Sequence, residues 1–291
     1  MVFLASLAGV SASFGWAGGS LLAHGPARRL GSFTFTWIQL VACAVIMSAL
    51  SGAAGHWARV SWQHWPAFAV SAAAGILAGN LAMIACLRAA GPRQTELLLS
   101  FKAPLVALMA FLWLGEQLSA RDIAGAALVL AGVFLAIAPD RAAGREGPPL
   151  YKAAALGLFA TFCQAAGYLS LKPALLDGTP VLAASSIRLS LGALLITLAG
   201  AAALPRRQAL SQVPLGLALR ALVPGILGYG VSSTLLLFAF THLDAGLAAA
   251  LGSLSPVLVL PLLWAVRGER PAPSAAAGAG LAVAGGAVIL L

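Results

Sequence analysis

Charge is what this 291-residue sequence has least of. Asp and Glu number 8 and Lys and Arg 17, so only 9% of residues are charged, against roughly 25% in a soluble globular chain. So few charges cannot cover a water-facing surface of this length, and lipid must replace water over most of it. Cysteine is scarce as well. Cys43, Cys86 and Cys163 each lie inside an apolar run, which excludes a disulfide framework and a metal-ligand spacing. The four His stand near the ends of apolar runs, and neither an HExxH helix nor a pair of mid-run aspartates occurs. An intramembrane enzyme therefore lacks its constellation, and no catalytic residue, metal or cofactor is expected. The net charge of +9 has no polar segment on which to form a nucleic-acid-binding face. It reads as the Lys/Arg bias of membrane loops. No basic region or small-residue cleavage site surrounds the first apolar run, which is expected to be a retained helix.

What the chain has is apolar length: 61% hydrophobic residues, 32 glycines and a mean hydropathy of +0.96. Runs of roughly 17–25 residues predict ten membrane spans: Val2–Leu22, Phe33–Leu50, Pro66–Leu87, Thr95–Leu114, Ile123–Ala138, Ala153–Leu171, Pro180–Leu204, Ala221–Leu243, Ala245–Val266 and Ala272–Leu291. The longest polar connection, Pro139–Lys152, falls after the fifth span. The chain thus divides into a first five-helix unit (1–138), a linker (139–152) and a second five-helix unit (153–291).

The two units match in order. Gly15-Trp16 returns as Gly167-Tyr168, 152 residues later. Gly75-Ile76-Leu77 matches Gly225-Ile226-Leu227, and Pro104 matches Pro256. Gly115-Glu116 matches Gly268-Glu269, and Gly125 and Gly132 match Gly278 and Gly285. Five is odd, so the second unit enters the membrane upside down relative to the first. Two inverted units around one cavity can open it alternately to either side, as secondary transporters do. The expected architecture is all-α and integral to the membrane, with ten transmembrane helices as two inverted five-helix repeats around a central cavity.

Loop charge predicts orientation. Arg28, Arg29, Arg88, Arg93, Arg141, Arg145, Lys152, Arg206, Arg207, Arg220, Arg267 and Arg270 fall in odd-numbered loops, and only Arg59, Arg121 and Lys172 in even-numbered ones. The positive-inside rule then puts both termini outside the cytoplasm. Trp57, Trp62 and Trp65 in the second loop suit the lipid headgroup region.

Pro104, Leu114-Gly115-Glu116, Gly125 and Ala131-Gly132-Val133 resemble the end of an EamA domain, of the drug/metabolite transporter superfamily. Ser255-Pro256, Gly268-Glu269, Gly278 and Ala284-Gly285-Gly286 repeat the pattern. The resemblance covers essentially the whole chain. It implies a multi-pass carrier in the inner cell membrane, with lipid and a small-molecule substrate as partners and monomer or homodimer left open. Amino acids or similar amphipathic metabolites are the expected cargo, in the direction of export. Phosphorylated or nucleotide-linked sugars are the alternative, and that cargo calls for several cationic groups. The resemblance also implies a cavity lined mainly by spans 1, 3, 4, 6, 8 and 9. The family's usual model has cytoplasmic termini, the reverse of the charge count.

Within this frame two charges lie well inside a span, Lys102 in span 4 and Arg188 in span 7. A charge at membrane depth costs about 2.5–3.5 kcal/mol on insertion scales, so it faces a cavity or a partner. Lys102 stands about 12 Å into its helix, where its ammonium can meet a substrate carboxylate or bond a carbonyl. For Arg188, on a helix the resemblance puts at the periphery, the structural reading is favoured. Glu96 opens span 4, as a helix-end group or a proton-coupling site. It is six residues from Lys102, about 120° around a continuous helix. Asn80 and Met83 share a face of span 3. Tyr229 and Ser233 share one of span 8, and Gln164 is one turn from Tyr168. Trp16 and Tyr168 flank the expected cavity, and Ser253 precedes Pro256. These residues, from Trp16 to Ser253, are the candidate substrate contacts. Pro104 and Pro256, each freeing a carbonyl one turn earlier, are candidate hinges.

Overall fold

The computed structural model describes residues 1–117, 119–137, 150–203, 213–268 and 273–290. Helix runs through nearly all of them, with no strand among the described residues. Most of the linker and Glu269 lie outside them.

Helix α1 (Val2–Ala53) has 52 residues, about 78 Å at 1.5 Å per residue, far more than a bilayer core of about 30 Å. Gly31, at φ 78° and ψ 161°, divides it into helices of residues 2–30 and 32–53. The missing Cβ makes that backbone affordable there. Two short 3₁₀ turns (His56–Arg59 and Trp62–His64) lead into α2 (Trp65–Val70). A wide π-type turn, Ser71–Ala78, joins α2 to α3 (Gly79–Ser100), which breaks at Gly91. Only Phe101, with ψ −8°, separates α3 from α4 (Lys102–Leu114). Then come α5 (Ala120–Ile137), α6 (Leu150–Leu169), α7 (Lys172–Leu176), α8 (Val181–Ala203) and α9 (Leu215–Gly225). A second π-type turn, Ile226–Ser232, leads into α10 (Ser233–His242). The chain closes with α11 (Ala245–Leu251), α12 (Ser255–Arg267) and α13 (Pro273–Leu290).

Among the described residues, six stretches are long and apolar enough to cross a membrane: Val2–Ala53, Trp62–Pro92, Gln94–Leu114, Tyr151–Leu176, Val181–Ala201 and Leu215–His242. Their outer surface is apolar. Phe3, Leu7, Phe14, Phe111, Leu112, Trp113, Phe159, Phe162 and Trp264 are all exposed, while Gln39, Asn80, Glu96, Lys102, Gln164 and Arg188 are buried. Water would penalise such a surface heavily at about 25 cal/mol per Å², and hydrocarbon does not.

Small residues set the helix crossings. A Cβ on Gly167 of α6 would lie 2.5 Å from the Gly75 Cα, inside the first wide turn. Gly15 of α1 faces the second wide turn, where an added Cβ would meet the Ser232 hydroxyl. Gly225, matched to Gly75 on sequence, instead lies just before the second wide turn.

One end of the molecule is solid. Val106, Ala110, Leu171, Leu175, Leu236, Leu237, Phe240, Ala245 and Ala248 pack there into a single core. A polar clasp ties the connection ahead of α2 to the turn after α7. Asp177 Oδ2 accepts from Gln63 Nε2 at 2.7 Å and lies 2.6 Å from His64 Nε2. Ser61 Oγ donates to the Asp177 carbonyl at 3.1 Å. The bonds from His64, then Gln63, hold the Asp177 carboxyl below its ordinary range. A depressed carboxyl contributes stability above the unfolded value and loses it as pH falls through the folded one. Asp177→Asn is expected to lower the melting temperature slightly at about pH 7 and by less at about pH 3. Paired melts of the detergent-purified proteins at the two pH values check this.

Candidate functional site

A partly open cavity lies against the solid core. Its wall takes Trp16 and Ser20 from α1, Asn80, Met83 and Glu96 from α3, and Lys102 from α4. It takes Gln164 and Tyr168 from α6, Arg188 from α8, Tyr229 from the second wide turn, and Ser253 and Ser255 beside α12. The site therefore draws on both halves of the chain.

Two helix interruptions shape the floor. The first, at Phe101, sits three residues ahead of Pro104, and the second, at Gly252–Leu254, just ahead of Pro256. A proline cannot donate to the carbonyl one turn earlier, so each interruption has a covalent cause. Neighbouring helices pin both. Thr161 Oγ1 donates to the Leu98 carbonyl at 3.0 Å. Ser13 Oγ donates to the Leu251 carbonyl at 2.7 Å and accepts from the Leu254 N–H at 3.2 Å. Ser253 Oγ turns back to the Ala249 carbonyl at 2.7 Å. Backbone polar groups at membrane depth are thus satisfied by protein where the helix is broken.

The walls are aromatic and charged. Trp16 and Tyr168 meet edge to face at 6.4 Å, and Tyr168 stacks on Phe240 at 5.9 Å. Lys102 Nζ lies 4.5 Å from the Trp16 ring centroid and 5.6 Å from that of Tyr168. Arg188 Cζ lies 4.4 Å from the Tyr168 centroid. Cation–π contacts of this length are strongest where water is excluded. Glu96, 5% exposed, lies near Ser20 and has Lys102 as its charged neighbour. Gln164 Nε2 donates to Asn80 Oδ1 at 3.2 Å and to Met83 Sδ at 3.4 Å.

A model of the EamA-like transporter family matches residues 3–138 and, a second time, 151–291. The chain belongs to that family. It is a membrane transporter of the drug/metabolite transporter superfamily. A solved structure described only as "Crystal structure of protein" shares the fold of this transporter, with a TM-score of 0.78 and 22% identity. The match covers 98% of this chain and 96% of that one. No curated protein matches the sequence.

Of the sequence-derived candidates, Trp16, Asn80, Met83, Glu96, Lys102, Gln164, Tyr168, Tyr229 and Ser253 all line the transporter's cavity. Ser233 stands behind the wall and not in it. Its Oγ accepts from the Tyr168 hydroxyl at 3.1 Å, so it fixes that ring. Pro104 acts through the interrupted backbone and not by lining. Pro256 is the second residue of α12, and its side chain lies outside the described residues. Glu96 is a buried wall group, not an interfacial one. The 120° separation of Glu96 and Lys102 assumed an unbroken helix, and Phe101 resets the phase between them.

The largest departure is Arg188. The peripheral placement does not hold, because the residue is 1% exposed and lies on the cavity wall. Phe35 and Gln39, from the second half of α1, also join the wall beyond the six expected spans. Intramembrane charge was the signal that marked Arg188. The face it takes was invisible, because α8 is apolar on every side and offers no amphipathic phase.

Proposed function

We propose that this transporter exports amino acids or similar small amphipathic metabolites by alternating access. The observation carrying the proposal is the presence of an ammonium and a carboxylate, Lys102 and Glu96, in one cavity walled by Trp16 and Tyr168. A zwitterion presents both complementary charges within a few ångströms. Lys102 takes its carboxylate and Glu96 its ammonium, each a charge-assisted bond, while the rings and Met83 receive the side chain.

Ten crossings follow if residues 2–30, 32–53, 65–90, 92–114, 120–137, 150–176, 181–203, 215–242, 245–267 and 273–290 each span the bilayer, five in each unit. Inversion of the units is supported by features that recur in order. These are the wide turns at Ser71–Ala78 and Ile226–Ser232, the interruptions before Pro104 and Pro256, and the left-handed glycines Gly115 and Gly268. Units 1–138 and 153–291 then rock around the shared site, in the inner membrane, with both termini outside the cytoplasm. Maleimide labelling of single cysteines placed in residues 52–65 checks the orientation.

A second reading, a carrier of phosphorylated or nucleotide-linked sugars, is favoured by one observation: Arg188 adds a second cation to Lys102. Counterflow in proteoliposomes with amino acids and phosphosugars separates the readings. Lys102→Ala is expected to raise the half-saturating concentration of an amino acid about 10- to 100-fold, the equivalent of one charge-assisted bond. Equal transport by the variant and wild type removes Lys102 from the site. Movement of phosphosugars alone removes the amino-acid reading.

A further inference from the structure

The cavity's charges do not cancel. Glu96 and Lys102 are electrostatic neighbours of opposite sign. Arg188 has no such partner on the wall, and its charged neighbour is Lys102, of its own sign. Among the described residues Nε and Nη1 of Arg188 have no hydrogen-bond partner, although the side chain is almost wholly buried. The Tyr229 hydroxyl, beside it, is buried and unpartnered too. Proteins seldom leave such donors unsatisfied, and an uncompensated buried cation is costlier still. The guanidinium is held from behind. Its Cζ faces the Tyr168 ring, and that ring is fixed by Ser233 and Phe240. A preorganised planar guanidinium with free Nε and Nη1 donors suits a carboxylate.

We propose that Arg188 and the Tyr229 hydroxyl form an anion seat separate from Lys102, so that the transported molecule carries one net negative charge, as an acidic amino acid does. This rests on the amino-acid reading above and narrows it. The α-carboxylate goes to Lys102, the ammonium to Glu96 and the side-chain carboxylate to Arg188. Lys102, Arg188 and Glu96 sum to one positive charge, and a ligand of charge −1 leaves the closed site neutral. A neutral amino acid leaves the guanidinium buried and unpaired.

The test compares L-glutamate with L-glutamine, of equal shape and different charge, and with glutarate, which lacks the ammonium. Ligand-induced thermal stabilisation of the full-length protein in detergent is measured alongside counterflow inhibition. Wild type is expected to take glutamate at about 10- to 100-fold lower concentration than glutamine, the equivalent of a charge-assisted bond pair. Arg188→Lys keeps the charge and loses the planar guanidinium. Tyr229→Phe removes only a hydroxyl that has no hydrogen-bond partner among the described residues, so it is expected to fold like wild type. Each is expected to weaken glutamate about tenfold and leave glutamine unchanged. Glutamine bound as tightly as glutamate by wild type overturns the seat and leaves the amino-acid reading standing. Undiminished glutamate preference in both variants overturns it as well. Binding of glutarate without either amino acid overturns the amino-acid reading, and Arg188→Lys then judges the seat alone through glutarate. A protein stabilised by none of the three overturns the seat, and the amino-acid reading is then judged by the counterflow panel.

Discussion

Gly167→Leu is expected to yield no folded protein, and Gly167→Ala a folded but clearly weakened one, in fluorescence-detected size exclusion and thermal melts of detergent extracts. The reason is a backbone meeting a backbone. A Cβ at Gly167 would lie 2.5 Å from the Gly75 Cα, 2.9 Å from its nitrogen and 3.3 Å from the Ser71 carbonyl oxygen. Side chains can rotate away from an added methyl, but main-chain atoms of a packed helix cannot. Overpacking of this kind costs about 1–3 kcal/mol for small insertions and more when the neighbour is rigid. Gly18 in α1 supplies the control, because nothing lies within 4 Å of its added Cβ. Relieved of a flexible glycine, Gly18→Ala is expected to gain about 0.5–1 kcal/mol in helix propensity. The same substitution thus changes sign between two helices, and equal melting temperatures for the two variants would show that the close crossing is not real.

The crossing matters for the site as well as for stability. Gly75 lies in a π-type turn, and its added Cβ would approach Arg188 Nη2 at 3.5 Å. Gly167 immediately precedes Tyr168 in the chain. The contact that lets α6 approach the first wide turn therefore also sets Tyr168 against Arg188. Lipid provides no hydrophobic force between helices, so close packing of small residues must supply much of it. A leucine here separates the helices and moves both groups that face the ligand.

These relations divide into what is legible along the chain and what is not. Apolar length marked the spans, since hydrocarbon admits few other segments. Trp16 and Tyr168 were paired by the repeat, and they meet at 6.4 Å. Pro104 and Pro256 marked the interruptions, because the missing N–H is a covalent property. The π-type turns were not legible. Their residues, Ser71–Ala78 and Ile226–Ser232, include Gly75, Gly228 and Gly230, but glycine also runs through the ordinary helices of this chain and so does not single these segments out. Rotation of α8 was not legible for a related reason. Arg188 could be seen as a buried charge, but its direction depends on neighbours across the bundle. Lys172 was read only as a loop charge, because its partner lies 56 residues away.

That partner is Glu116, and breaking the pair is expected to loosen the solid end of the molecule. One Glu116 oxygen accepts from Lys172 Nζ, and the other accepts from the Ala245 N–H at 2.8 Å. Lys172 Nζ also donates to the Leu243 carbonyl at 3.1 Å. Three connections, after α4, α6 and α10, are joined at one point over the packed core. The Lys172 side chain is 7% exposed and that of Glu116 17%. Removing one partner of a buried pair costs about 3–5 kcal/mol, and residual solvent lowers that here to roughly 1–3 kcal/mol. In a carrier that alternates, the loss falls on the state in which this end is shut. Each 1.4 kcal/mol shifts the ratio of the two states about tenfold. A cysteine at Ala248, buried beneath the latch, reports the shift in a background without Cys43, Cys86 and Cys163. Glu116→Gln and Lys172→Met are each expected to speed its maleimide labelling roughly tenfold. The double variant, with no stranded charge, is expected to return most of the way toward the parent. Additive acceleration in the double variant would mean that the two residues act separately and that no latch joins these connections.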